Sequence, residues 1–133
     1  MTPETAKRLR DARDACVEFA AFVAGEDLDS FLKDRGLQLI LQALFSNIGE
    51  AMNQARRTDP ALSDTLTDLH RIIGMRNRIV HGYDSIDYEV MWYAATERVP
   101  RLAESLRQLL AAAPDTDRTS KSVIPLLGWQ RDY

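Results

Sequence analysis

Apolar residues recur along this chain at intervals of three and four, and no segment shows the strict alternation of a half-buried strand, so the pattern predicts helices throughout. Leu9, Ala12, Cys16, Phe19, Ala20 and Val23 form the first stripe. Thr2 can cap it, Pro3 suits the first helical position, Glu4 favours the positive end of the helix dipole, and Gly25 is a natural stop. A second start near Asp27 to Ser30 leads into Phe31, Leu37, Ile40, Leu41, Leu44, Phe45, Ile48, Met52 and Ala55. That stripe predicts one long helix to about Arg57, with Gly36 as the place for a bend.

Thr58-Asp59-Pro60 breaks the pattern, because a proline pushes the residue before it out of helical geometry. A third helix is predicted through Leu62, Leu66, Leu69, Ile72, Ile73, Met75, Ile79 and Val80 up to His81, closed by Gly82 in a left-handed conformation. Asp87 caps a fourth, which carries Val90, Trp92, Tyr93, Ala94, Val99, Leu102, Leu106, Leu109 and Leu110. Pro100 lies inside that helix and is expected to kink it. Trp92 and Tyr93 read as core or interface packing rather than as platforms for bases.

The length of 133 residues and a hydrophobic content of 45% fit one domain with a sizeable core. That domain is placed at residues 1–113. Residues 114–133 form a tail that begins polar, Pro114 to Ser122, and then carries the apolar island Val123-Ile124-Pro125-Leu126-Leu127-Gly128-Trp129. The island is open to two readings, a docking segment for a partner or a tail folded back on its own bundle. A formal net charge of −3 argues against a general nucleic-acid binder, so contact with a polyanion has to be local. The single cysteine, Cys16, excludes an internal disulfide and a cysteine-based zinc cluster, and its expected role is packing. No run approaches the roughly 18 apolar residues of a membrane span and no leader pattern opens the chain, so a soluble, cytoplasmic protein is expected.

The chemistry concentrates in Arg76-Asn77-Arg78-Ile79-Val80-His81-Gly82-Tyr83. Arg76 and Arg78 offer charged planar donors that fit phosphate, His81 can move a proton near neutral pH, and Tyr83 adds a phenol. Phosphate loops, nucleophile elbows and HExxH pairs are absent from the sequence. His70 and His81 are the only histidines and lie about 16 Å apart along a helix, too far to share a metal ion. No metal or other cofactor is therefore expected. RNA can be cleaved without one if a base takes the 2′-hydroxyl proton, a cation stabilises the phosphate, and an acid protonates the leaving 5′-oxygen. His81 and Arg76 suit the first two roles. Five helical positions set them roughly 140° apart around the axis, so they converge only if His81 leaves the helix, if substrate bridges them, or if two chains meet. Blander readings stand beside this one. Arg-Asn-Arg can complement a helix dipole, His70 fits a helix-surface or a core position, and Glu50 is either an exposed acid or a partner that orients a cation.

Met75 to Tyr83 resembles the R-x4-H-x-Y signature of HepT-like ribonucleases in the HEPN superfamily. Ile48-Gly49-Glu50-Ala51 is similar to an element on an earlier helix of that family, and Asp87-Tyr88-Glu89 with Trp92 and Pro100 is similar to its final helix. The resemblance spans roughly residues 5 to 112. It implies an all-α fold, a four- to five-helix up-and-down bundle with a kinked last helix, which dimerises so that two motifs form one RNA-cleaving cleft. It further implies a toxin of a toxin-antitoxin pair whose partner is a nucleotidyltransferase-type antitoxin acting by binding or by adding AMP to the motif tyrosine. On that basis Arg76 and His81 are catalytic, Asn77, Arg78 and Glu50 are supporting, and Tyr83 is the AMPylation site. The alternative is a non-catalytic HEPN module that binds a nucleotidyltransferase.

Overall fold

The computed structural model describes residues 1–81 and 86–112, the side chains of Val80 and His81 excepted. Its elements are α1 (Pro3–Val23), α2 (Leu28–Leu32), α3 (Arg35–Thr58), α4 (Leu62–Thr65), α5 (Leu69–His81), α6 (Tyr88–Tyr93), a π-helical stretch (Ala94–Arg98) and α7 (Val99–Ala112). No strand occurs among the described residues, as the apolar period predicts. Since α6, the π-helical stretch and α7 follow one another without a gap, the bundle consists of four rods, with α2 and α4 in the connections.

Polar side chains at the helix ends set most boundaries. Thr2 Oγ1 accepts a hydrogen bond from the Thr5 amide at 3.1 Å, and Gly25 takes the positive φ of 77° that follows a helix end. Asp27 and Ser30 form a reciprocal capping box at α2. Asp87 Oδ1 accepts from the Glu89 and Val90 amides at the start of α6.

Two expectations are corrected. The single helix from about Asp27 to Arg57 is two helices, because Asp34 Oδ1 accepts from the Leu37 amide at 2.9 Å and starts α3 afresh. The helix expected from Leu62 to His81 is also divided, at an extended Leu66 with φ −100° and ψ 97°. The break lets Leu62, Leu66 and Leu69 all reach the core, and Asp68 beside it accepts from Arg98 Nη1 at 3.1 Å. Before Pro100, where a kink is expected, the helix widens into the π-helical stretch. Proline has no amide and its ring crowds the carbonyl four residues back, that of Thr96; the wider turn places the Val99 amide on the Ala94 carbonyl and relieves the crowding.

Helix α3 is the central rod, packed between α1 and α5, while α7 lies against α1. Leu9, Phe19, Leu41, Phe45, Ile48 and Met52 are fully enclosed. The rings of Phe19 and Phe45 meet edge to face at 4.6 Å and join α1 to α3. The Thr5 and Thr58 hydroxyls are hydrogen-bonded, so the start of α1 meets the end of α3 and the two run antiparallel. Trp92 stacks on Phe31 of α2 at 5.0 Å, a packing role as expected, whereas Tyr93 lies outside the core and is 48% exposed. Cys16 is buried in the packing, and burial pushes its thiol up to about 12. No helix among the described residues is long and apolar enough to cross a membrane. Gly82 as a helix terminator and the tail beyond Ala113 lie outside the described residues.

Packing on this scale makes core truncations costly. Phe45→Ala is expected to lower the unfolding free energy by about 3–5 kcal/mol, and Phe22→Ala, on the half-exposed face of α1, by less than about 1 kcal/mol. Chemical denaturation followed by circular dichroism checks the contrast, and equal losses would contradict this placement of the core.

Candidate functional site

Helix α5 packs against α3 through a contact that only glycine permits. A Cβ placed on Gly49 of α3 would overlap the Cβ of Arg76 and lie 2.5 Å from its Cγ. The atoms in the way belong to the stem of the arginine, next to its backbone, so they cannot swing aside as a side-chain tip could. Glycine inside a helix costs roughly 1 kcal/mol against alanine, and here that cost is offset by the close approach. The Arg76 stem lies in a notch on the central helix.

From that notch the guanidinium is held at both ends. Nη2 pairs with Glu50 Oε1 at 3.2 Å, and Nη1 donates to Asn77 Oδ1 at 3.2 Å. Glu50 is itself held, because Gln54 Nε2 donates to its other oxygen at 2.8 Å. The Nε of Arg76 is enclosed and has no acceptor among the described residues. Glu50 thus combines both readings, a partly exposed acid that meets a cation, and Asn77 contacts the same arginine. Gly49 and Gln54 join the site unforeseen. Their signal in the sequence was faint: one face of α3 carries Gly49 beside Glu50, with Gln54 four positions on.

His81 is the last residue of α5, five positions after Arg76. The backbone register sets the two about 140° apart around the axis, so helical geometry by itself does not bring them together. The His81 side chain, Gly82 and Tyr83 lie outside the described residues. His70, at the other end of α5, is exposed, as the surface reading expects.

Arg78 does not share the Arg76 face. Two positions along a helix correspond to about 200° of rotation, and Arg78 instead lines a groove between α5 and α6 with Arg71, Tyr93 and Arg98. Sequence adjacency suggests one basic patch, Arg71, Arg76 and Arg78; the structure divides it between two sides of α5. Among the described residues no group of three His, Cys, Asp or Glu side chains is placed to hold a metal ion. Chemically, the α3–α5 notch presents a fixed cation able to meet one anionic oxygen pair, with a titratable histidine one and a half turns away.

A family model described as Ribonuclease HepT-like matches residues 12–109. Over 88 residues the chain is 24% identical to a candidate RNase of Caldanaerobacter subterraneus subsp. tengcongensis, an alignment that covers 66% of this chain and 78% of that protein. No solved structure matches at a significant level.

The notch separates two kinds of damage. Gly49→Ala forces α3 and α5 apart and is expected to lower stability by about 1–3 kcal/mol, as overpacking does. Glu50→Gln removes a pair whose side chains are 23% and 43% exposed, and is expected to change stability by less than about 1 kcal/mol because solvent screens it. Thermal melts of both variants check this, and a Gly49→Ala protein as stable as the wild type would show that the helices are not in close contact there.

Proposed function

The chain belongs to the HepT-like ribonuclease family, and on that premise we propose that it is a metal-independent endoribonuclease, the toxin of a toxin-antitoxin pair. The observation that carries this reading is the Arg76 notch. An arginine wedged against a bare helix backbone and held by Glu50 and Asn77 is fixed before substrate arrives, as transition-state stabilisation by a preorganised cation requires.

In this mechanism the nucleophile belongs to the substrate. His81 takes the proton from the 2′-hydroxyl, the 2′-oxygen attacks the adjacent phosphorus, and the bond from phosphorus to the 5′-oxygen breaks as that oxygen takes a proton from water. The products are a 2′,3′-cyclic phosphate and a 5′-hydroxyl end. Arg76 meets the extra negative charge on the non-bridging oxygens as it develops. Because the nucleophile is a ribose hydroxyl, no metal-bound water is needed. The angle between Arg76 and His81 around α5 supports a site completed by a second copy, with the arginine of one chain and the histidine of the other on one phosphate. A homodimer or higher homo-oligomer is the corresponding assembly, acting on RNA, with tRNA as one candidate, in the cytoplasm.

Control falls to a nucleotidyltransferase-type antitoxin. Transfer of AMP to Tyr83 places a negative phosphate two residues from His81, where charge and bulk both oppose RNA. Arg78 is kept as a supporting cation of the same helix.

Two experiments test these assignments. His81→Ala and Arg76→Ala are each expected to slow cleavage of purified RNA in EDTA by at least about 100-fold while the far-ultraviolet circular dichroism stays unchanged. Undiminished cleavage by His81→Ala refutes the base assignment, and loss of wild-type cleavage in EDTA refutes metal independence. Intact-mass measurement after co-expression with the antitoxin should show whole adenylyl groups added to the wild type and none to Tyr83→Phe. Modification of that variant would remove Tyr83 from the scheme.

A further inference from the structure

The face of α5 turned away from Arg76 carries its own charge. The helix holds three arginines, Arg71, Arg76 and Arg78, and no aspartate or glutamate, in a protein of net charge −3. Arg76 is paired with Glu50, whereas Arg71 and Arg78 are exposed and meet no carboxylate among the described residues. Both line the groove between α5 and α6, whose volume is about 330 Å³. Gly74 lies between them, where an added Cβ would meet nothing within 4 Å, so the floor is bare.

The opposite wall adds an aromatic ring in a fixed setting. Tyr93 is half exposed, and the Arg98 guanidinium sits over its ring at 5.4 Å. Arg98 is anchored in turn by Asp68, 3.1 Å away and nearly buried. Glu89, Glu97 and Glu104, the acids on this rod, do not line the groove.

Arg71 and Arg78 are seven residues apart, about 10 Å along the helix, more than one phosphate group spans. The pair therefore suits a polyanion rather than a single small anion. An open groove whose guanidiniums on one wall meet no carboxylate among the described residues, with an exposed ring on the other, matches the chemistry of a single nucleic-acid strand, with its phosphates on the cations and a base against the aromatic face. In backbone register Arg78 stands about 60° and one turn from His81, so the groove leads toward the end of α5 that carries the motif histidine.

We propose that the α5–α6 groove is a binding track for the single-stranded RNA that flanks the scissile phosphate. Arg71 and Arg78 take two backbone phosphates, Tyr93 stacks a base, and Arg98, clamped by Asp68, holds that ring in place. The track rests on the nuclease reading only for its substrate class, since its cations and ring lie apart from Arg76.

The test measures binding in a protein that does not cut. In a His81→Ala background, a fluorescent single-stranded RNA of about 12 nucleotides, within the usual site size, is titrated by anisotropy over a series of salt concentrations. Replacing both Arg71→Gln and Arg78→Gln is expected to weaken binding on the order of ten-fold near 0.1 M salt. It should also lower the slope of log affinity against log salt by about 1.4, two single-strand phosphate contacts at about 0.7 each. The pair Lys7→Gln and Lys33→Gln removes the same charge from exposed sites elsewhere and should leave the slope alone. Tyr93→Ala should weaken binding without changing the slope. An unchanged slope in the arginine variant, a loss equalled by the lysine variant, or no RNA binding at all overturns the track. A changed molar mass by light scattering with RNA affinity intact would make the groove a subunit interface instead. A wild-type protein that binds through the arginines yet cuts no RNA sinks the nuclease reading and leaves the track standing; cleavage with an unaltered slope does the reverse.

Discussion

The distance between α3 and α5 is the constraint on which the rest of the molecule depends. It is set where the bare backbone at Gly49 receives the aliphatic stem of Arg76. The central helix is buried along its length by Leu41, Phe45, Ile48 and Met52, so its position follows from the core. Whatever is wedged against it inherits that rigidity. A long charged side chain on an open surface would sample many rotamers, at a cost of up to about 2 kcal/mol to order it. Here the fold fixes the first part of that side chain by contact, and Glu50 and Asn77 fix its tip.

Helix α5 consequently has two charged sides with different surroundings. On one, a guanidinium is compensated and clamped. On the other, two are exposed beside a tyrosine that is held by a third arginine. Clamped charge suits a group whose position must be right within a fraction of an ångström at one phosphate. Exposed charge suits contacts that hold a strand loosely and at many registers. One short helix can serve both because its rotation of about 100° per residue sends Arg76 and Arg78 to opposite sides.

Much of the fold was legible in the sequence because polar caps announce helix ends. Thr2, Asp27 and Asp87 all cap as their residue types suggest, and Gly25 ends α1. The breaks after Leu32 and at Leu66 were not legible from periodicity, since Phe31 and Leu37, and likewise Leu62, Leu66 and Leu69, are buried on both sides of each break. A continuous apolar stripe does not distinguish one helix from two that share a core. Asp34 was the missed sign, as a residue able to cap an amide three positions on. At the site, the resemblance of Ile48 to Ala51 drew attention to Glu50, but the role of Gly49 depends on which helix lies opposite. The split of Arg71 and Arg78 from Arg76 is a matter of angle that linear adjacency conceals.

The buried Cys16 thiol bears on how two chains can associate. It is the chain's sole cysteine, enclosed in the core, and its thiol titrates far above neutrality. Cys16 is therefore poorly placed to lock a pair of these chains with a disulfide, and the shared site proposed above would assemble without that covalent link. By mass action the assembled fraction falls with dilution. In the shared site proposed above, activity would then rise more than in proportion to abundance wherever the chain is scarcer than its dissociation constant.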